Sequence, residues 1–212
     1  MSYTNKIINL FPENYSNEWM KNGIELTFKK GELISTPEKL DKYVFIIKKG
    51  NACDFHIHID GKECVIGLLS RGDIIGLTNV FIEKEGRIFS RALTELKVVA
   101  VSREEVKRLV QQNSSLAMAL LNYFSEKHQD MVEILEQIGY GKVEKRLIFL
   151  FQKLIDSSKE DNGWYPIPDS ITHKDMAGMI ASTRETVTLT INKLLQDSII
   201  RYHENRIWIQ LK

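Results

Sequence analysis

Between Thr172 and Gln196, apolar residues recur at Met176, Met179 and Ile180 and, past a polar break, at Val187, Ile191, Leu194 and Leu195. Both sets step at helical spacing, so two short amphipathic helices are predicted. Thr172 with Asp175 three residues later resembles a capping box, and Thr183 directly before Arg184 and Glu185 is a good N-cap for the second helix. The tight Ala181-Ser182 connection suits a helix-turn-helix, whose second helix enters the major groove of DNA. Opposite its apolar face that helix carries Arg184, Glu185 and Thr188, side chains that read base edges.

Upstream the pattern changes. From Glu25 to about Val101, short apolar runs are punctuated by Gly31, Gly50, Gly61, Gly72 and Gly76, the spacing of an all-β sandwich or barrel. Asp60-Gly61 is the clearest turn. As a two-residue loop it pairs Ile59 with Lys62, Ile57 with Cys64, Phe55 with Ile66 and Cys53 with Leu68. One face is then Cys53, Phe55, Ile57, Ile59, Cys64, Ile66 and Leu68, which is predicted core; Asp54, His56, His58, Glu63 and Val65 form the other. Cys53 and Cys64 come out four residues apart along the strands, roughly 13 Å. A disulfide needs Cα atoms within about 7 Å, so two buried free thiols are expected.

Ser102 is placed to cap a helix over REEVKRLV. A long helical pattern then runs from about Ser115, with Leu120, Phe124, Met131, Ile134 and Ile138 forming a heptad seam broken only by Lys127. An exposed helix with this seam needs a partner, and a second copy of the chain is the economical choice. Gly139 and Gly141 interrupt the helix as a hinge. The amphipathic VEKRLIFLFQKLIDS follows, then a polar loop from 157 to 163. IIRYHENRIWIQL, with its turn at Glu204-Asn205, reads as a short hairpin wing. Residues 1 to about 25 carry only scattered apolar positions, among them Phe11 and Trp19, and read as a short helical lead-in.

The chain has 212 residues, 43% hydrophobic and 27% charged, enough for two globular domains. A net charge of only +1 means that a DNA-binding surface must be local. Two cysteines are too few for a disulfide scaffold or the four thiolates of an iron-sulfur cluster. No stretch approaches a membrane span, and a cytoplasmic protein is expected. There is no Gly-rich phosphate loop, nucleophile elbow or CxxC, so enzymatic chemistry is not expected. One pattern of a different class competes: Gly50-x5-His56-x-His58-x4-Glu63 matches most of the first metal-binding motif of cupin enzymes. Against it, no Pro-x-Gly-x-x-His segment supplies the remaining ligand, and the hairpin register puts both histidines on the polar face.

The strings GDIIG at 72–76, TH-x-x-x-A at 172–177, TRETV at 183–187 and RLIFLF at 146–151 resemble the CRP/FNR family of bacterial transcription regulators over nearly the whole chain. The resemblance implies an α+β protein. It would have a β-roll, jelly-roll-like sensor domain over 1–114, a dimerisation helix over 115–138, and a winged helix-turn-helix over 139–212 that binds double-stranded DNA as a homodimer at a palindromic operator. RNA polymerase is an implied partner of an activator. By position, Arg184, Glu185, Thr188 and Leu189 are implied base contacts, with Asn192 on the same groove-facing edge; Thr172, His173, Lys174 and Thr183 are placed for phosphates. Leu189 departs from the family, since cyclic-AMP-dependent members carry a second arginine there. Leucine can contact a thymine methyl, so a different half-site is predicted. The implied effector pocket is Gly76, Leu77, Arg87, Ile88, Met131 and Val132. Leu77 and Ile88 stand where cyclic-AMP binders have glutamate and serine, and Met131 and Val132 where polar residues reach the adenine. Cyclic AMP is therefore not expected as effector. Nor is an iron-sulfur cluster, because an N-terminal cysteine cluster is absent.

Overall fold

A computed structural model describes residues 7–35, 42–61, 63–82, 88–155 and 159–210. It divides into two compact units, with the break between His128 and Gln129. In the first unit, α1 (Glu13–Asn22) precedes strands β1 (Ile24–Phe28), β2 (Leu33–Ser35), β3 (Tyr43–Lys49), β4 (Ala52–Ile57), β5 (Glu63–Leu69), β6 (Ile74–Ile75), β7 (Phe89–Ala92) and β8 (Leu96–Ser102), then α2 (Arg103–Gln112). The strands form two four-stranded sheets, ordered β1-β8-β3-β6 and β2-β7-β4-β5.

Strand β3 explains the layering. It is buried on both faces from Val44 to Ile47, and period-2 alternation sends successive residues to opposite sides. Val44 and Ile46 pack with Phe11, Trp19, Leu109, Leu116 and Leu120 under the helices. Phe45 and Ile47 pack with Ala52, Ala92, Leu96 and Val98 between the sheets. Each such aliphatic side chain contributes about 1.5–3 kcal/mol of burial. Gly50 turns β3 into β4 at φ +94, where an added Cβ would lie 2.2 Å from the Glu95 carbonyl oxygen.

The β4–β5 hairpin corrects the expected register. Cys53 does face Leu68 and Asp54 faces Gly67, but Phe55 then pairs with Val65, His56 with Cys64 and Ile57 with Glu63. Ile66 is the extra residue of a β-bulge, and one inserted residue moves every later side chain to the other face. Val65 turns in beside Phe55. Ile57, Ile59 and Ile66 are exposed rather than core, and of the two free thiols Cys53 is buried while Cys64 is exposed. The cupin-like trio is not assembled: His58 pairs with Asp60 at 3.2 Å, and Glu63 with Arg91 at 3.0 Å.

Helix α3 runs from Ser114 to Tyr140, so Gly139 lies inside it and the break falls at Gly141. The seam also shifts. Leu120 is 3% exposed in its own core, and Phe124 lies edge-on to Phe81 at 6.3 Å. Among the described residues, the large hydrophobic side chains exposed on the helix are Met118, Leu121, Met131, Val132, Leu135 and, at its last position, Tyr140. Positions 118, 121, 125, 128, 132 and 135 step by 3 and 4, a heptad stripe out of phase with the predicted one. The side chain of Ile134 lies outside the described residues, and Ile138 is half-buried. No helix among the described residues is long and apolar enough to cross a membrane.

Candidate nucleic-acid interface

In the second unit α4 (Val143–Leu154) is followed by β9 (Trp164–Pro166), α5 (His173–Met179), α6 (Arg184–Gln196), β10 (Ile200–His203) and β11 (Arg206–Gln210). Strands β10, β11 and β9 form one antiparallel sheet, with the Glu204-Asn205 turn of the wing in the left-handed region at φ 50 and 59. The core joins Leu147 and Phe151 of α4, Met176, Ala177 and Ile180, and Val187, Ile191 and Leu194 of α6, all at most 5% exposed. Burying that side of α6 fixes which edge it shows to solvent.

Of the predicted caps, those at Thr172 and Thr183 are formed, whereas Ser102 stands at the N-cap of α2 without a side-chain capping hydrogen bond. Thr172 Oγ1 accepts from the Asp175 backbone N–H at 3.2 Å, and Asp175 Oδ2 accepts from the Thr172 N–H at 2.9 Å. Thr183 Oγ1 accepts from the Thr186 N–H at 3.2 Å. Between the helices Ala181 adopts φ 50, and the Ser182 N–H donates to the Ala177 carbonyl at 2.9 Å.

Arg184, Glu185, Leu189 and Asn192 are exposed along α6, with Thr188 half-buried beside them. Arg184, Glu185, Thr188 and Leu189 line one open hollow, as i, i+4 neighbours do on a helix. Leu189 is 71% exposed, so its side chain is available for contact outside the protein. Thr188 is tied inward. Its hydroxyl donates to the Arg184 carbonyl at 2.9 Å and lies 2.9 Å from His173 Nδ1. With its one proton committed, it accepts from an Nδ1–H tautomer of His173, which leaves Nε2 as the outward nitrogen. Burial, and then the charge of Arg184, hold the His173 imidazole below its ordinary pKa.

The sequence pattern located the wing but not its side chains. Tyr202, Asn205 and Arg206 share a crevice with His173 and Asp169, and Arg206 bonds Asp169 at 3.3 Å. Only the three-dimensional placement of the hairpin brings these side chains to one crevice with His173. Of the implied effector residues, Leu77 is 5% exposed within the helix-covered core, and Gly76 caps a short 3-10 turn at φ 81. Ile88 is half-buried, Met131 and Val132 are exposed on α3, and Arg87 lies outside the described residues.

The chain matches the cyclic nucleotide-binding domain family over residues 25–113 and the Crp-like helix-turn-helix domain family over residues 145–211. It belongs to the CRP/FNR family of transcription regulators. Among curated relatives of this CRP/FNR-family protein, the cAMP-activated global transcriptional regulator CRP of Salmonella typhimurium is 26% identical over 189 residues, 84% of this chain and 85% of its own. The global nitrogen regulator of a Nostoc species is 23% identical over 186 residues, 86% of this chain and 83% of its own. In fold it resembles the c-di-GMP-responsive global regulator CLP of Xanthomonas campestris, with TM-score 0.76 and 15% identity over 95% of this chain and all of that one. A CooA variant of Carboxydothermus hydrogenoformans gives TM-score 0.75 at 18% identity over 99% of this chain and 93% of its own. The helix-turn-helix described above is thus that of a DNA-binding CRP/FNR regulator.

Proposed function

We propose that this regulator acts as a homodimer on a palindromic operator and is not controlled by cyclic AMP. The observation that carries the DNA reading is the edge of α6. Val187, Ile191 and Leu194 are buried while Arg184, Glu185 and Leu189 face solvent on one stripe. Arg184 donates to guanine, Glu185 accepts from cytosine, and Leu189 packs on a thymine methyl. Thr172, His173, Lys174, Thr183 and Asn192 hold the phosphates and groove edge, as helix N-termini and cations do. The residue roles divide the chain into a sensor over 1–114, a dimerisation helix over 115–138 and a DNA-binding domain over 139–212.

Dimerisation is supported by the exposed stripe Met118, Leu121, Val132 and Leu135, which a second copy covers in coiled-coil fashion. The departure from cyclic AMP is supported by Leu77, which packs in the core where the cyclic-AMP-binding pattern has a ribose-gripping glutamate. The protein works in the cytoplasm, engages RNA polymerase where it activates, and has no catalytic role of its own.

Operator selection from random duplexes at fixed salt tests this reading. The wild type should enrich a palindrome, Arg184→Ala should lose selection at a guanine, and Leu189→Ala at a thymine. Each loss should be on the order of 1 kcal/mol or more. Absence of any enriched palindrome with the wild type overturns the proposal.

A further inference from the structure

Helix α5 has seven residues, and the left-handed position that closes it carries no glycine. Its closing residues are Ile180, whose N–H still bonds the Met176 carbonyl at 3.1 Å, and Ala181, held at φ 50. The left-handed conformation costs an alanine roughly 1 kcal/mol relative to glycine. The last carbonyls of any helix also lack partners within it. Both problems are met from outside the motif. Arg146, on α4, donates through Nη1 to the Ile180 carbonyl at 2.7 Å and reaches the Ala181 carbonyl at 3.4 Å. A guanidinium at the negative end of a helix makes charge-assisted bonds there.

The other end of the same side chain lies against the helix break at Gly141, between α3 and α4. A Cβ on Gly141 would stand 3.2 Å from Arg146 Cγ and 2.5 Å from the Gln137 carbonyl oxygen. The bare glycine therefore lets the arginine stem pack against the turn that leads out of α3. Two residues before Arg146, Glu144 accepts from Lys193 Nζ of α6 at 2.5 Å. Helix α4 thus grips the turn of the helix-turn-helix with one side chain and the recognition helix with another.

We propose that Arg146 is a positioning residue for DNA reading: it ties the break at Gly141 to the Ile180–Ala181 turn and so sets the angle at which α6 presents Arg184, Glu185 and Leu189. The inference rests on the DNA-reading role proposed for α6. In physical terms it makes the first turn of α4 the lever through which a movement at the break reaches the bases. Removing the guanidinium leaves two carbonyls without their donor and Ala181 without its clamp.

The test compares the wild type with Arg146→Met, Ala181→Gly and the double variant. Methionine keeps an unbranched stem against Gly141 but deletes the donors, and glycine holds φ 50 without help. Affinity is measured by fluorescence anisotropy for the selected operator and for a random duplex of the same length, across a salt series, with thermal melts alongside. Arg146→Met should weaken operator binding about tenfold and random-duplex binding less than about twofold, with an unchanged salt slope. The double variant should recover most of the operator affinity. If Arg146→Met melts too low to assay, Arg146→Lys, which keeps the charge but loses the planar fork, should fall between wild type and no selectivity and be rescued in the same way. Equal losses on operator and random duplex, a salt slope lower by about one, or no recovery in the double variant would each overturn the proposal. A wild type without operator preference would instead defeat the DNA-reading role itself.

Discussion

His173 Nδ1 lies 2.9 Å from Thr188 Oγ1, so the first residue of α5 is hydrogen-bonded to the recognition helix. The bond joins a residue placed for phosphate to one placed beside the base-reading edge. It also fixes the imidazole, since the Thr188 hydroxyl already donates to Arg184. Around the ring stand Arg184 on α6, Asp169 before α5, and Tyr202 and Arg206 of the wing.

Burial and the Arg184 charge lower the His173 pKa from the ordinary value of 6.5. A depressed folded value means that stability is full above the unfolded pKa and is lost as pH falls through the folded one. An NMR titration should place the His173 midpoint below 6.5, and Arg184→Ala should raise it. A phosphate oxygen only accepts, so Nε2 must carry a proton to hold it. Operator affinity should therefore rise from pH 8 to pH 6, and His173→Gln should flatten that rise. A pH-independent wild type would show that His173 holds no phosphate.

Asp54 Oδ1 accepts from Ser90 Oγ at 2.5 Å, the two residues facing each other across β4 and β7. Burial raises the Asp54 pKa to about 6, with the Asp73 charge adding to the rise and the Ser90 bond opposing it. The raised value means a contribution fully present below the unfolded pKa of 3.8 and lost as pH climbs through about 6. Asp54→Asn keeps the acceptor oxygen and removes the charge. It should stabilise the chain at pH 8 by up to about 2 kcal/mol and change little at pH 4.5. Urea denaturation at the two pH values measures both; an equal effect at each would remove the charge as the cause.

Leu120 and Leu135 face opposite fates on one helix, at 3% and 60% exposure. Leu120→Ala should cost about 2–5 kcal/mol of stability through the cavity it leaves, with no direct effect on association. Leu135→Glu should leave stability of the monomer nearly unchanged but break the paired helices. Sedimentation should then show a monomer, and operator affinity should drop with it. A Leu135→Glu protein that still sediments as a dimer would remove this stripe from the interface.

The helix-turn-helix was legible because its signals are local. Thr172 with Asp175, and Thr183 ahead of Arg184, act within one turn, and the structure forms both caps. The hairpin was legible only to its midpoint. Cys53 opposite Leu68 follows from alternation, but the bulge at Ile66 turns Val65 into the cluster of Cys53, Phe55 and Leu93, a cluster that a turn-based register does not see. Arg146 carried no sequence signal beyond its place in RLIFLF, because its partners are backbone carbonyls 34 and 35 residues away.

The amino-acid sequence by itself determined the periods: alternation in the strands, 3.6 spacing in α5 and α6, and a heptad in α3. Those follow from backbone geometry and need no neighbour. Tertiary structure alone decided the phases. Which stripe of α3 is covered depends on where Leu116 and Leu120 meet Val44, Ile46 and Val99. Which edge of α6 is free depends on Leu147, Phe151 and Met176 filling the other side. A period states that one face is buried, and only the packing of distant elements states which.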